Sequence, residues 1–326
     1  MRIGIMGVHY GHIGGMIQSA LQASNGEIVG LVEEDDALCE RYGSIPRFST
    51  LEEMIDRARP ELILEGLIHH EKTALVETCA GAGIHLLLDK PMCRTLDDWE
   101  RMRRAVAASS IHVTMWFTSR SYPPFIALRQ ATLDGTLGTI ASLVSTHPHK
   151  ITRATAPPWY FDPEQYTGAF HDLACHGVDQ VRWLTGAECV GVHALATCKR
   201  FTDEPSMEDH VQASFALSDG SLATLTADWL TPQASPAFGD TMGTAGSAHL
   251  RAYAGDHLLI ATNEGDPYTP ELPEGRSDEF VANLIDAIEG GNDPFIPTRS
   301  VFATAQACLL AQESARQGGA FLPIPS

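Results

Sequence analysis

Basic residues are scarce in this chain. Only 22 Lys and Arg stand against 41 Asp and Glu, a net charge of −19. A polyanionic surface repels nucleic acid and anionic lipid, so neither is an expected partner. No two cysteines are spaced as CxxC, and the seven present (Cys39, Cys79, Cys93, Cys175, Cys189, Cys198 and Cys308) are an odd number. They are expected as reduced, small apolar residues. Cys175 neighbours His176, but adjacent helical residues point about 100° apart, so it is not expected as a nucleophile. No apolar run approaches the ~18 residues of a membrane span, and strand-like RIGIMG already stands at 2–7, so the expected location is the cytoplasm. Internal repeats and low-complexity segments are missing too.

The 326 residues exceed what one hydrophobic core usually serves, and two domains are expected. The first third alternates strands (2–7, 27–33, 61–67, 84–89, 112–117) with helices (12–24, 71–82, a short one opened by Thr50 and another begun by Thr95 and Asp98). Thr50 with Glu53 makes a capping box. ELILEGL (61–67) is apolar apart from Glu65, as a parallel strand buried on both faces should be. This alternation predicts a doubly wound parallel sheet. The pattern then changes to strands at 139–149, 188–199, 210–217, 222–229 and 248–260, with a hairpin at Asp219-Gly220. Helices are expected at 125–133, 168–186, 278–289 and 300–316. The fold class is therefore α/β, with a parallel-sheet domain over 1–118 and an α+β domain with a large, mostly antiparallel open sheet over 119–326.

A glycine-bearing turn between strand one and helix one is where a dinucleotide pyrophosphate meets a helix N-terminus. Gly7 fills the first glycine position, His9 and His12 occupy the other two, and Gly11 falls one residue early. The candidate cofactor residues are Gly7, Val8, His9, Tyr10, Gly11 and His12, together with Glu33 and Lys90, with the backbone N–H groups from His9 to His12 as the expected cradle. An ordinary βα turn is the competing reading. Strand two ends at Glu33-Glu34-Asp35. A carboxylate there accepts hydrogen bonds from ribose hydroxyls and repels a 2′-phosphate, which favours NAD over NADP.

Asp172 and His176 stand four residues apart in GAFHDLACHGVDQVRWLTG (168–186), and Asp89-Lys90-Pro91 closes a strand. On a helix that spacing puts both side chains on one face. Neutral imidazole is a suitable base near pH 7, and an ammonium stabilises developing alkoxide character. These groups suit hydride transfer at a carbon bearing a hydroxyl. Spacing alone leaves a second reading open: Asp172, His176, Asp179 and Trp183 also form a polar stripe, and such stripes usually face solvent.

Lys90-Pro91 at a strand end, followed by a Gly168, Asp172, His176, Asp179 helix, resembles the glucose–fructose oxidoreductase / inositol dehydrogenase / rhizopine-catabolism (Gfo/Idh/MocA) family. The resemblance extends through AGIHLLLDKP (82–91), SYPPFIALRQATLDGTLGTI (121–140), WYFDP (159–163) and GTAGSAHL (243–250). It implies a Rossmann domain, a tightly held nicotinamide cofactor, and a second domain whose open sheet packs in a homodimer or homotetramer. It carries catalytic roles onto Lys90, Asp172 and His176, and suggests sugars, inositols and related polyols as substrates. The chain departs from the pattern at the glycine turn, at Asp89 where glutamate is usual, at Lys72 where many members place histidine, and at Phe170, expected at the pocket floor.

Arg120, His149, Trp159 and Asp179 are candidate substrate contacts, with Lys150 and Tyr160 beside them. His69 and His70 are candidate cofactor contacts. His147 and His149 lie two apart on a strand and so share a face, but no third ligand is fixed nearby, and no metal is expected. The expected activity is NAD-dependent oxidation of a secondary hydroxyl on a polyol or sugar. The alternatives are an NAD-dependent glycosidase using transient ring oxidation and elimination, and a non-enzymatic ligand-binding regulator on the same fold.

Overall fold

A computed structural model describes residues 1–9, 11–154, 156–204, 207–231, 237–252 and 257–325. In chain order the elements are β1 (Arg2–Met6), α1 (Ile13–Gln22), β2 (Glu27–Val32), α2 (Asp36–Cys39), β3 (Arg47–Phe48), α3 (Leu51–Ala58), β4 (Leu62–Glu65), α4 (Lys72–Ala82), β5 (His85–Leu88), α5 (Leu96–Ala107) and β6 (Val113–Met115). There follow α6 (Pro123–Leu133), β7 (Ile140–Pro148), α7 (Ala169–Thr185), β8 (Cys189–Thr197), β9 (His210–Leu217), β10 (Leu222–Asp228), β11 (Ala237–Gly243), β12 (Gly246–Ala252), β13 (His257–Thr262), α8 (Phe280–Glu289), α9 (Thr298–Arg316) and β14 (Leu322–Pro323).

The chain divides into two compact units, Met1–Trp116 with Arg276–Phe302, and Phe117–Gly275 with Ala303–Ser326. The single cut at 118/119 read from sequence differs from this division, because α8 returns to the first unit. It does so through contacts that local periodicity cannot show. Ser19 of α1 donates its hydroxyl to the Asp278 carbonyl and accepts the Val281 N–H, each at 3.0 Å, and the Phe280 ring lies 4.7 Å from Trp116.

In the first unit, six parallel strands run in the order β3-β2-β1-β4-β5-β6. The doubly wound expectation therefore holds. All four residues of β4 are buried, Glu65 among them. The helix starts match their sequence signals. Thr50 and Thr95 accept the N–H groups of Glu53 and Asp98, each at 3.1 Å, and Glu53 reaches back to the Ser49 N–H at 2.9 Å.

The second unit holds eight strands in the order β13-β12-β11-β7-β10-β9-β8-β14, antiparallel except where β7 meets β10. Two sequence expectations change here. The strand expected over 248–260 is two strands, β12 and β13, paired antiparallel, and β11 was not foreseen. GTAGSAHL spans the β11–β12 turn and most of β12. The Asp219-Gly220 hairpin joins β9 to β10 as expected, with Gly220 at φ +87° and Asp219 accepting the Ser221 N–H. Helix α7 packs on β7, β9 and β10. No helix among the described residues is long and apolar enough to cross a membrane.

Candidate active site

In the first unit, β1 delivers the chain into the tight turn at Gly7. Its φ is +74°, and a Cβ there would lie 2.5 Å from Leu67 Cδ2, so only glycine fits. Beyond Gly7 the turn is held by carboxylates. Glu33, at the end of β2 and 5% exposed, accepts the Val8 N–H at 2.8 Å and the Asp35 N–H at 2.9 Å, and its Oε1 lies 3.1 Å from His9 Nε2. Asp89, after β5, accepts the His12 N–H at 3.2 Å and meets His12 Nδ1 at 2.8 Å. The backbone cradle expected from His9 to His12 is thereby altered. The His9 N–H donates to the Gly66 carbonyl at 3.0 Å, and the His12 N–H is taken by Asp89. Both imidazoles remain partly exposed at the rim, beside the carboxylates of Glu33 and Asp89. Tyr10 lies outside the described residues, and Gly11 has open space where a Cβ would stand.

A cleft of about 340 Å³ runs along this turn, lined among others by Gly7, His9, Glu33, Glu34, Glu52 and Glu71. The glycine bend, the imidazoles and the buried carboxylate fit a dinucleotide: one for close approach, one for anionic phosphate, one for ribose hydroxyls. An ionised carboxylate offers about four acceptor sites, so Glu33 keeps capacity for a further donor. Asp35 instead caps α2, accepting from Ala37 and Leu38. His69 is fully buried, and His70 is exposed and does not cap α4, whose N-cap is Glu71.

Lys90 follows β5 and is 4% exposed. The residues around it are fixed from below. Lys72, the first residue of α4, is buried and donates to the carbonyls of Asp89 and Pro91, while Glu65 accepts the Asp89 N–H at 3.1 Å. Lys72, which stands where many family members place histidine, has its ammonium inside the protein. Glu65, the lone charge in an apolar strand, was the available signal.

In the second unit, α7 overturns the solvent-facing reading of its polar stripe. Every residue from Ala169 to Arg182 is buried except His176. Asp172, 0% exposed, accepts the Tyr166 hydroxyl at 3.0 Å, and that hydroxyl in turn accepts the Trp229 indole N–H at 3.1 Å. Burial and the neighbouring Asp172 charge push the Tyr166 phenol well above its ordinary range, so it stays a donor. His176, one turn on from Asp172, lies edge-on to Phe117 at 5.6 Å. Tyr166 and Trp229 were not singled out from sequence, since nothing local links them to Asp172.

An aromatic wall adjoins this helix. Trp159 stacks on Tyr160 at 4.0 Å, Tyr160 meets Tyr166 at 5.2 Å and Trp229 at 5.8 Å, and exposed His149 stands edge-on to Trp229 at 5.9 Å. Lys150 is exposed beyond it. Arg120 and Asp179 meet each other in a buried two-pronged ion pair, at 2.7 and 2.6 Å, with the guanidinium over the Trp183 ring. Both are thus parts of the interior. His147 is buried rather than on an open strand face; it bonds Ser145 at 3.0 Å and packs at Gly177. Among the described residues no three His, Cys, Asp or Glu side chains gather as metal ligands. Phe170 is fully buried and lies against Phe215 of β9, in the core rather than at a pocket floor.

Comparison with known proteins decides the family. The profile of the oxidoreductase family with an NAD-binding Rossmann fold matches residues 1–117, and that of the GFO/IDH/MocA C-terminal domain matches residues 125–249. The chain belongs to the Gfo/Idh/MocA family. Relatives within that family include myo-inositol dehydrogenase Hyg17 of Streptomyces leeuwenhoekii, 27% identical over the whole of both chains. The rhizopine catabolism protein MocA of Rhizobium meliloti is 25% identical over 77% of this chain and 78% of its own. Among solved structures, levoglucosan dehydrogenase in complex with NADH and levoglucosan aligns at TM-score 0.87 over all of both chains, with 19% identity. Aldose-aldose oxidoreductase of Caulobacter crescentus aligns at 0.85 over 99% of this chain and 100% of that one, also with 19% identity. The Gfo/Idh/MocA assignment makes this chain an oxidoreductase with an NAD-binding Rossmann unit.

Proposed function

We propose that this oxidoreductase uses NAD to oxidise a secondary hydroxyl of an inositol, sugar or related polyol. The observation that carries the reading is α7, which buries Asp172 and leaves His176, among its first four turns, as the residue with access to solvent. His176 is the acid/base for the hydroxyl proton. Lys90 is the cation at the substrate oxygen, and Asp172 tunes the imidazole from below. NAD, when bound, supplies the hydride acceptor. The Trp159–Tyr160 wall suits the apolar face of a sugar or cyclitol ring, with His149 as a polar contact. The full-length relation to a myo-inositol dehydrogenase supports the substrate class.

The turn read as the cofactor site comprises Gly7, Val8, His9, Gly11 and His12, with Glu33 holding it through Val8 and His9. Glu33, Glu34, Glu52 and Glu71 around one cleft favour NAD, because a 2′-phosphate would be repelled there. The exposed face of the eight-stranded sheet is the assembly surface of a homodimer or homotetramer.

The test is NADH formation with a panel of inositols and aldoses. With the best of these, His176→Ala should lower kcat by about 10²- to 10⁴-fold with NADH affinity unchanged. Undiminished turnover would remove the acid/base assignment. Free aglycone released from a glycoside without net NADH would mark the eliminating glycosidase instead. Binding without any turnover would mark a regulator.

A further inference from the structure

We propose that Lys72 is a positioning residue for Lys90, acting with Glu65 as a buried brace that fixes the backbone on both sides of it. This rests on the reading of Lys90 as the cation at the substrate oxygen.

Lys72 and Glu65 are both 0% exposed. The three donors of the Lys72 ammonium meet three acceptors: the Asp89 carbonyl at 2.7 Å, the Pro91 carbonyl at 3.0 Å and Glu65 Oε2 at 3.1 Å. Glu65 also accepts the Leu67 N–H at 2.5 Å and the Asp89 N–H at 3.1 Å. Burial pushes the Glu65 carboxyl up to about 7 against the pull of Lys72. Every group named around it donates, so the ionised form is the one the site fits.

Stability is a poor explanation for such a pair. Desolvating two charges costs several kcal/mol per ion, and well-packed apolar residues often do as well or better. What this pair does that an apolar pair cannot is hold the two carbonyls that flank Lys90. The Asp89 carboxylate meanwhile holds His12, so the brace also steadies the corner against which the nucleotide turn is tied. A displacement of about 1 Å at a reacting group can cost about 10²-fold in rate, which is enough to retain the pair.

The chain has four lysines, Lys72, Lys90, Lys150 and Lys199, and the last two are exposed. Lysine labelled with ¹³C at Cε in the full-length protein therefore gives four NMR signals, two of them internal references. In Glu65→Gln, an isosteric change, and in Lys72→Met, the Lys90 signal should move or broaden while those of Lys150 and Lys199 stay in place and NADH still binds. With myo-inositol and NAD as the probe reaction, kcat should fall at least about tenfold and KM stay within about twofold. A Lys90 signal coincident with the parent's in both variants overturns the proposal. So does loss of the folded spectrum in both, because the pair then serves the fold alone. Lys90→Met run alongside separates the two ideas. If it leaves turnover intact, the role of Lys90 fails. If it abolishes turnover while Glu65→Gln moves neither signal nor rate, only the brace fails.

Discussion

Glu33 illustrates how one side chain serves two ends. Its carboxylate closes the first turn through Val8 and Asp35 and also lines the cleft where a ribose would lie. Glu33→Gln keeps the size and an acceptor oxygen but removes the charge. The ratio of kcat/KM for NAD over NADP should therefore drop about tenfold or more, since the charge is what repels a 2′-phosphate; an unaltered ratio would count against the ribose assignment. Gly7 was legible as the tight turn after β1, because a glycine between a first strand and a helix is a local signal. Partners were not. Nothing in the sequence says that Asp179 meets Arg120, or that Asp172 receives a hydroxyl from Tyr166. Those pairings depend on packing across elements far apart in the chain.

At the scale of elements, helix starts and strand cores were readable because caps and apolar runs are local signals. The existence of β11 was not, since AFGDTMG shows no clean alternation, and β12, which does alternate over 247–252, reads from sequence as running on into β13. The fit of α7 on β7 is tighter than the sequence suggests. A Cβ at Gly177 would lie 2.3 Å from His147 Nε2, on a buried ring held by Ser145. Alanine gains roughly 1 kcal/mol of helix propensity over glycine, whereas overpacking a rigid interior costs typically 1–3 kcal/mol. Sterics should win. Gly177→Ala is expected to lower the unfolding midpoint and, by shifting the turn that carries His176, to lower kcat. A variant as stable as the parent would show that β7 yields to α7.

For the molecule as a whole, His147 sets part of the response to acid. Desolvation, helped by nearby His149, pushes its imidazole down to about 3. The unfolded chain takes up a proton near the ordinary 6.5 while the folded chain does not until about 3, so stability falls as pH drops through that window. The loss amounts to about 2 kcal/mol between pH 6.5 and 5 at 1.36 kcal/mol per unit. His147→Asn should lose correspondingly less in urea unfolding compared at the two pH values, and equal losses in both proteins would refute the assignment. The uncovered sheet face tests the assembly. Val144, Leu222 and Leu195 stand exposed on β7, β10 and β8, among small polar residues such as Ser214 and Thr224. A glutamate at a buried interface carries a desolvation penalty of several kcal/mol. If this face is the assembly surface proposed above, Val144→Glu should convert the oligomer to protomers in light scattering, and an unchanged mass would rule that surface out.

The return of α8 to the first unit bears on how the polypeptide is made. A ribosome that has completed the six parallel strands has not yet released Phe280, Val281, Leu284 and Ile285, which are buried in the finished protein. Trp116 and the Ser19 hydroxyl must wait for them through the synthesis of most of the second unit. The unit made first is finished nearly last, and a genetically excised amino-terminal fragment would carry that open seam permanently.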